Sequence, residues 1–139
     1  QSPTPQVKAL AAPDITVLEF KDEDVSGLVK SLLDSGLFVA PMYAPGGTRL
    51  KILASMAAMM PVVTTSIGAE GYGAVGGQSI LIGNNSTEIA NQVVRLLKDK
   101  KLYQRIAINA RQLVDTKFTW GPIAQKLESI YEEVVHHHT

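Results

Sequence analysis

The chain has 139 residues, of which 13 are lysine or arginine, 13 are aspartate or glutamate, and none is cysteine. Its length supports one domain with one hydrophobic core, its balanced charge excludes an overall field that would attract nucleic acid, and the absence of cysteine excludes disulfides and thiol catalysis. No run approaches the roughly 18 apolar residues of a membrane span, and no basic-then-apolar start indicates a signal peptide, so we expect a cytoplasmic protein without a membrane span.

The first 40 residues predict a short helix, a strand, a longer helix and a second strand. Residues 6–11 lie between prolines and predict the short helix, and residues 15–20, ITVLEF, are rich in strand-forming types. Apolar residues at helical spacing predict the longer helix up to a stop at Gly36: Val25, Leu28, Val29, Leu32 and Leu33. The continuous apolar run of residues 37–40 is typical of a buried parallel strand.

A glycine-rich loop and an apolar helix follow the second strand. Pro45-Gly46-Gly47 interrupts regular structure, and glycine can hold backbone angles that are closed to other residues. We expect the hydroxyl of Thr48 to cap a helix that runs to about Met60. Because this helix is apolar nearly all round, it should be buried against a sheet.

Arg49 and Lys51 place two cations in the first turn of this helix, where the helix dipole is already positive. Each cation costs roughly 0.3–1 kcal/mol there unless an anion is present. Loop amides, a helix N-terminus and two cations together favour a phosphate site. On the spacing alone, two solvated charges that happen to begin a helix are an equally good interpretation.

Two further strands and a loop complete the predicted sheet. Residues 61–66 form the next strand, and residues 79–83 form the last. The intervening residues 67–77 contain five glycines, which predicts a long flexible loop and a candidate lid.

Three helices close the chain. Asn85 with Glu88 three positions later resembles a capping box at the start of the first helix, and Pro122 at a first helical position opens the third. Strands and helices that alternate in this way predict a parallel sheet with crossover helices, which is an α/β fold. The histidines of residues 136–139 indicate a purification-tag remnant rather than a metal site.

The order and spacing of five blocks resemble the C-terminal, donor-binding half of a retaining GT-B glycosyltransferase that uses nucleotide sugars. The blocks are VAP, GGTRLKIL, PVVTTSIGAEG, SILIG and a closing segment with FTW and IAQKLESIYEEV, at residues 39–41, 46–53, 61–71, 79–83 and 118–134. The resemblance implies that residues 1–135 form a partial nucleotide-sugar-binding domain with an incomplete Rossmann-like parallel sheet. About four of the roughly six family strands are expected, with flanking helices and three C-terminal helices, while the N-terminal acceptor domain is missing.

The resemblance also assigns residues to the donor diphosphate. Gly46, Gly47 and Thr48 would approach it through backbone amides, and Arg49 and Lys51 would contact it directly. Breaking the sugar–phosphate bond places negative charge on the leaving diphosphate, which fixed cations and amides stabilise. No catalytic residue, metal ligand or cofactor is assigned, because the nucleoside-diphosphate sugar is the substrate and the cations take the place of a metal.

Three more positions are candidate nucleotide or sugar contacts: Ala54, Thr65 and Glu70. Ala54 departs from the family, whose glutamate at this position accepts hydroxyl hydrogens that alanine cannot accept. Glu70 matches a family glutamate and is equally interpreted as a loop charge. Met59 and Met60 also depart, since relatives carry a small residue or glycine, and core filling is the plainer interpretation of this pair. Altered donor recognition, a degenerate copy and an engineered surface are all open as explanations.

Three aromatic residues lie in or near these blocks. Tyr43 and Tyr72 either border a nucleotide base or are partly buried in their loops. We expect Trp120 to anchor the last helix rather than to bind a ligand.

Two hypotheses of function follow. In the first, the chain is the donor-binding part of a hexosyltransferase of polysaccharide biosynthesis, which acts on a glycan or lipid-linked acceptor, and it is inactive alone. In the second, it is a non-catalytic or engineered α/β module that forms a homo-oligomer, since a parallel strand without its neighbour exposes an edge. Whether the chain is itself an enzyme stays open.

Overall fold

The computed structural model describes residues 3–19, 25–44, 46–47 and 49–137. Contacts divide the chain into two units, Gln1–Ser35 and Gly36–Thr139. The first unit holds helices α1 (Pro5–Lys8) and α2 (Val25–Leu33). In chain order, the second unit holds β1 (Phe38–Ala40), α3 (Leu50–Ala57), β2 (Val62–Thr64), α4 (Ser66–Ala69), β3 (Leu81–Ile82), α5 (Ser86–Lys98), α6 (Lys100–Lys117) and α7 (Trp120–His137).

The strand predicted at residues 15–20 does not form within its described part, residues 15–19. Ile15 instead forms an isolated antiparallel bridge with Ala12, in which each amide donates to the other residue's carbonyl at 3.0 Å. These bonds close a tight turn, whereas a strand becomes stable only in a ladder with neighbouring strands. The described chain therefore has three sheet strands rather than the expected four or so.

The second unit is built on a parallel sheet with the strand order β1-β2-β3. Phe38 lies opposite Val62 in the first ladder, and Val63 lies opposite Leu81 in the second. The middle strand, β2, is buried along its whole length, as expected for a parallel strand with both faces covered. The expected α/β class with a parallel sheet is thus confirmed, although its strands are shorter than the sequence pattern predicted.

Two hydrophobic clusters flank this sheet, because successive side chains of a strand point to opposite faces. One cluster contains Val62, Ile80 and the apolar face of α3. The other contains Val63, Leu81 and the apolar face of α5. Helix α6 contributes residues to both clusters and therefore links them.

Helix α3 ends earlier than predicted, in a Schellman motif. The Met60 amide donates to the Ser55 carbonyl at 2.9 Å, and the Met59 amide donates to the Met56 carbonyl at 3.1 Å. Met59 has a φ of +57°, the left-handed conformation that glycine usually supplies at this position. Met60 is buried whereas Met59 is 46% exposed, so core filling explains Met60 alone.

Replacing Met59 with glycine should stabilise the fold by about 1 kcal/mol. The left-handed conformation costs a residue with a Cβ roughly 1–2 kcal/mol, and the greater freedom of glycine in the unfolded chain offsets part of the gain. Urea denaturation of the two chains measures the difference. Met59→Ala is the matched control, because it removes most of the same side chain but keeps the Cβ; equal stabilities of the glycine and alanine variants would contradict the argument.

Polar caps fix the starts of α5 and α6. Asn85 accepts the Glu88 amide at 2.9 Å, and the Glu88 carboxylate accepts the Asn84 amide at 2.7 Å. The predicted capping pair is therefore confirmed, with its return bond one residue earlier than in the usual box. Asp99 ends α5 and caps α6 by accepting the Leu102 amide at 2.9 Å, so the two helices meet without a connecting loop.

Helix α7 begins at Trp120, two residues before Pro122. The Trp120 side chain is 85% exposed, so the expectation that it anchors this helix is wrong. Phe118 takes that place, since it packs against the cluster beside α3 and meets Tyr72 edge to face at a ring-centroid distance of 6.3 Å. Residues 138–139 lie outside the described residues, and the tag interpretation stays a prediction.

Within the described ranges, no helix combines the length and apolar character that crossing a membrane requires. In the same part of the chain, no group of three histidine or acidic side chains is placed to hold a metal ion.

Candidate functional site

Two threonines at the end of β2 tie together the loops that leave the sheet. The Thr64 hydroxyl donates to the Ala40 carbonyl at 2.6 Å, and the Thr65 hydroxyl donates to the Met42 carbonyl. Thr65 also caps α4 by accepting the Gly68 amide at 3.1 Å. Because both threonines are buried, they hold the chain after β1 and the chain after β2 in a fixed relation.

These two loops enclose a cleft of about 330 Å³. We name it the arginine cleft, and its described lining residues are Gly47, Arg49, Glu70, Gly71 and Tyr72. It lies in the segments that follow β1 and β2, where open parallel α/β sheets bind their ligands. Gly47 and Gly71 have φ values of +49° and +87°, which glycine adopts without steric penalty, so both loops can bring their backbones close to a ligand.

Arg49 makes the hydrogen bonds that cross the arginine cleft. Its Nη1 donates to the Glu70 carbonyl at 3.2 Å, and its own carbonyl accepts the Tyr72 hydroxyl at 3.3 Å. Its Nε is buried and has no hydrogen-bond partner among the described residues. Since buried polar groups are nearly always hydrogen-bonded, the guanidinium is short of one partner, and Arg49, which lines the cleft, is a candidate ligand contact.

The start of α3 lies one residue later than predicted, because its N-cap is Arg49, which makes no side-chain cap bond. Thr48, the predicted cap, lies outside the described residues. The first amides of an α-helix have no acceptor within the helix and carry the positive end of its dipole. Lys51 adds an exposed ammonium in this turn, and neither Lys51 nor Arg49 pairs with a carboxylate in the described ranges.

A second cleft of about 380 Å³ adjoins the arginine cleft at Arg49. Gly46, Arg49 and Lys51 line it together with five apolar residues: Phe38, Ala40, Met42, Leu50 and Ile52. An apolar wall beside two cations can receive a ligand that is anionic at one end and hydrophobic at the other.

Five of the sequence-predicted site residues line at least one of the two clefts: Gly46, Gly47, Arg49, Lys51 and Glu70. Thr65 and Ala54 are among the described lining residues of neither cleft. The Thr65 hydroxyl already donates one hydrogen bond, to the Met42 carbonyl, and accepts another, from the Gly68 amide. Ala54 is an exposed residue of α3. Ligand contacts from all of these residues, and from Thr48, stay predictions.

Sequence reasoning missed the bonds that join the site across the fold. The hydroxyls of Thr64 and Tyr72 each donate to a carbonyl more than 20 residues earlier in the chain, at Ala40 and at Arg49. A periodicity argument covers only one element at a time, so no signal in the sequence predicted either pairing. The sequence leaves open whether Tyr72 borders a nucleotide base or is partly buried in its loop. In the structure its side chain is buried.

The segment predicted as a flexible loop and candidate lid, residues 67–77, begins inside α4. Its second half is fastened by bonds from the Gly77 amide to the Ile80 carbonyl at 2.8 Å and from the Val75 amide to the Ser79 hydroxyl at 3.0 Å. The prediction of one long loop is therefore wrong for its first part. The hydrogen bonds of the second part favour a fixed segment over a lid.

Comparison of the sequence with protein families finds a match over residues 1–99 to the family described as "Glycosyl transferases group 1". The matched residues include β1, β2, β3 and all described lining residues of the two clefts.

One curated relative and one solved structure illustrate the similarity. An uncharacterized 44.6 kDa protein in the cps region of Klebsiella pneumoniae is 33% identical over 82 residues, which are 59% of this chain and 21% of that protein. The C-terminal domain of the glycosyl transferase group 1 family protein LpcC from Francisella tularensis has a similar fold, with a TM-score of 0.58 and 22% identity over 76% of this chain and 53% of that chain. This chain therefore spans about a fifth of the relative and about half of the solved structure.

Proposed function

Since this chain belongs to the group 1 family of glycosyltransferases, we propose that its two clefts bind the nucleoside diphosphate of a nucleotide-sugar donor. The observation that carries this proposal is the guanidinium of Arg49, which lines the arginine cleft and whose buried Nε has no partner among the described residues. It lies at the N-terminus of α3, next to the exposed Lys51. A diphosphate would supply acceptors and negative charge for all three features.

The diphosphate would lie in the arginine cleft. Arg49 keeps one N–H on the Glu70 carbonyl and offers other donors of its planar fork to phosphate oxygens, a geometry that guanidinium and phosphate share. Lys51 adds a point charge from the first turn of α3. The apolar wall of the second cleft receives the nucleoside, and the carboxylate of Glu70 accepts hydroxyl hydrogens of the ribose or sugar.

The same contacts would promote sugar transfer. When the bond between the sugar and the diphosphate breaks, the sugar becomes oxocarbenium-like and the diphosphate gains negative charge. Arg49 and the first amides of α3 are already fixed beside that charge, so they stabilise the transition state without reorganising, and Lys51 adds a further positive charge.

The full reaction would be hexosyl transfer to a glycan or lipid-linked acceptor, carried out together with an N-terminal acceptor domain. The occurrence of the Klebsiella relative in a cps region is consistent with polysaccharide biosynthesis.

Isothermal titration of the 139-residue chain with UDP, GDP and inorganic pyrophosphate tests the proposal. We expect saturable binding of at least one of them, weakened about fivefold in Lys51→Ala, because an exposed charge contact contributes up to about 1 kcal/mol. Lys101→Ala, which removes the same charge from the start of α6, should leave the affinity unchanged. No binding of any of the three, together with a stable dimer in sedimentation equilibrium, would support the self-associating module instead.

A further inference from the structure

Tyr72 connects the arginine cleft to the interior of the fold. Its side chain is only 6% exposed, and its ring meets that of Phe118 edge to face, with 6.3 Å between the centroids and 72° between the planes. Phe118 is the residue that ends α6, where its amide donates to the Val114 carbonyl at 2.8 Å. The Tyr72 ring is therefore held from behind by the end of a long helix.

The Tyr72 hydroxyl reaches from this anchored ring to the backbone of Arg49. It donates to the Arg49 carbonyl oxygen at 3.3 Å, and the same oxygen accepts the Ile52 amide in the first turn of α3 at 2.9 Å. The guanidinium of Arg49 in turn donates to the carbonyl of Glu70, two residues before Tyr72. These contacts form a closed ring that fixes both the backbone and the side chain of Arg49.

We propose that Tyr72 is a positioning residue for Arg49, and thereby for recognition of a diphosphate. This inference rests on the proposed function of the arginine cleft. The phenol hydroxyl is used on the Arg49 carbonyl, so Tyr72 acts through Arg49 rather than by binding the anion. Fixing the arginine before the ligand arrives removes an ordering cost that would otherwise be subtracted from the affinity.

A double-mutant cycle isolates this role. Tyr72→Phe keeps the ring against Phe118 and removes only the hydroxyl, and we expect it to weaken binding of pyrophosphate and of UDP or GDP by about three- to tenfold, the effect of losing one hydrogen bond. In the Arg49→Ala background the same substitution should have no further effect, because residues that act through one contact are not additive. Titrations followed by NMR extend to the weak affinities of the double variant.

Tyr103→Phe is the matched control. It also removes a tyrosine hydroxyl that donates to a backbone carbonyl, that of Gly36 at 2.6 Å, but it touches neither cleft and should leave the affinity unchanged. Thermal denaturation of the variants shows whether each is folded at the temperature of the titration.

The outcomes separate the two proposals. If the wild-type chain binds a diphosphate and Arg49→Ala weakens it, but Tyr72→Phe binds as tightly as the wild type, the positioning role is wrong and the proposed function stands. The positioning role is also wrong if Tyr72→Phe weakens binding by the same factor in the Arg49→Ala background as in the wild type, since the hydroxyl would then act independently of the arginine. If the wild-type chain binds none of the three anions, both proposals fail.

Discussion

Replacing Arg49 with alanine should weaken binding of UDP or GDP, whichever the chain binds more tightly, by about 10- to 100-fold. Hydrogen bonds to charged groups contribute about 1.5–3 kcal/mol, which corresponds to this range. The effect should exceed that of Lys51→Ala, because the Arg49 Nε is buried and already oriented. Lys51 is exposed, so the conformational entropy that its side chain loses on binding offsets part of its contribution. Isothermal titration at constant ionic strength measures both variants.

Two further variants define what the arginine contributes. Arg49→Lys keeps the charge but loses the planar fork, so its affinity should fall between those of the wild-type and alanine chains. Arg95→Ala removes an arginine from the last turn of α5, outside both clefts, and controls for net charge. A loss in Arg95→Ala equal to that in Arg49→Ala would mean that the chain attracts diphosphates by overall charge, and the arginine cleft would no longer be needed.

The fold was predictable where one element carries its own signal. The apolar run at β2 is buried on both faces, and Asn85 with Glu88 caps α5. The strand predicted at residues 15–20 did not form in its described part, because a strand depends on a neighbour that its own sequence cannot supply. The two aromatic residues near the start of α7 show the same limit. Composition alone did not distinguish Phe118, which packs against the hydrophobic cluster, from Trp120, which is exposed.

Charge placed at a helix start indicated where the candidate site could lie but not the contacts that organise it. Cations are unfavourable at a helix N-terminus unless an anion is bound, yet two solvated charges were an equally good interpretation of Arg49 and Lys51 until the family resemblance assigned them to the diphosphate. The bonds that orient Arg49 come from Glu70 and Tyr72, on a loop beyond the next strand. Such pairings follow from the way strands bring distant loops together, so they emerge only once the sheet order is known.

Gly83 is a position where an added methyl group should strongly damage the fold, because the atoms it would meet belong to the backbone. It follows β3, donates its amide to the Thr64 carbonyl at 2.9 Å, and is buried. A Cβ there would lie 2.6 Å from the Ile89 backbone nitrogen and 2.8 Å from the Glu88 carbonyl carbon. Both atoms belong to the backbone of α5, so no side-chain rotation relieves the overlap.

Gly83→Ala should therefore lower the free energy of unfolding by about 3 kcal/mol, the upper part of the usual range for overpacking, because α5 must shift away from the sheet. Thermal denaturation followed by circular dichroism should show a melting temperature about 10 °C below that of the wild type. Gly121→Ala makes the same chemical change in α7, where nothing lies within 4 Å of the new Cβ, and should be neutral or slightly stabilising. If Gly83→Ala and Gly121→Ala had the same melting temperature, the close packing of α5 against the end of β3 would be contradicted.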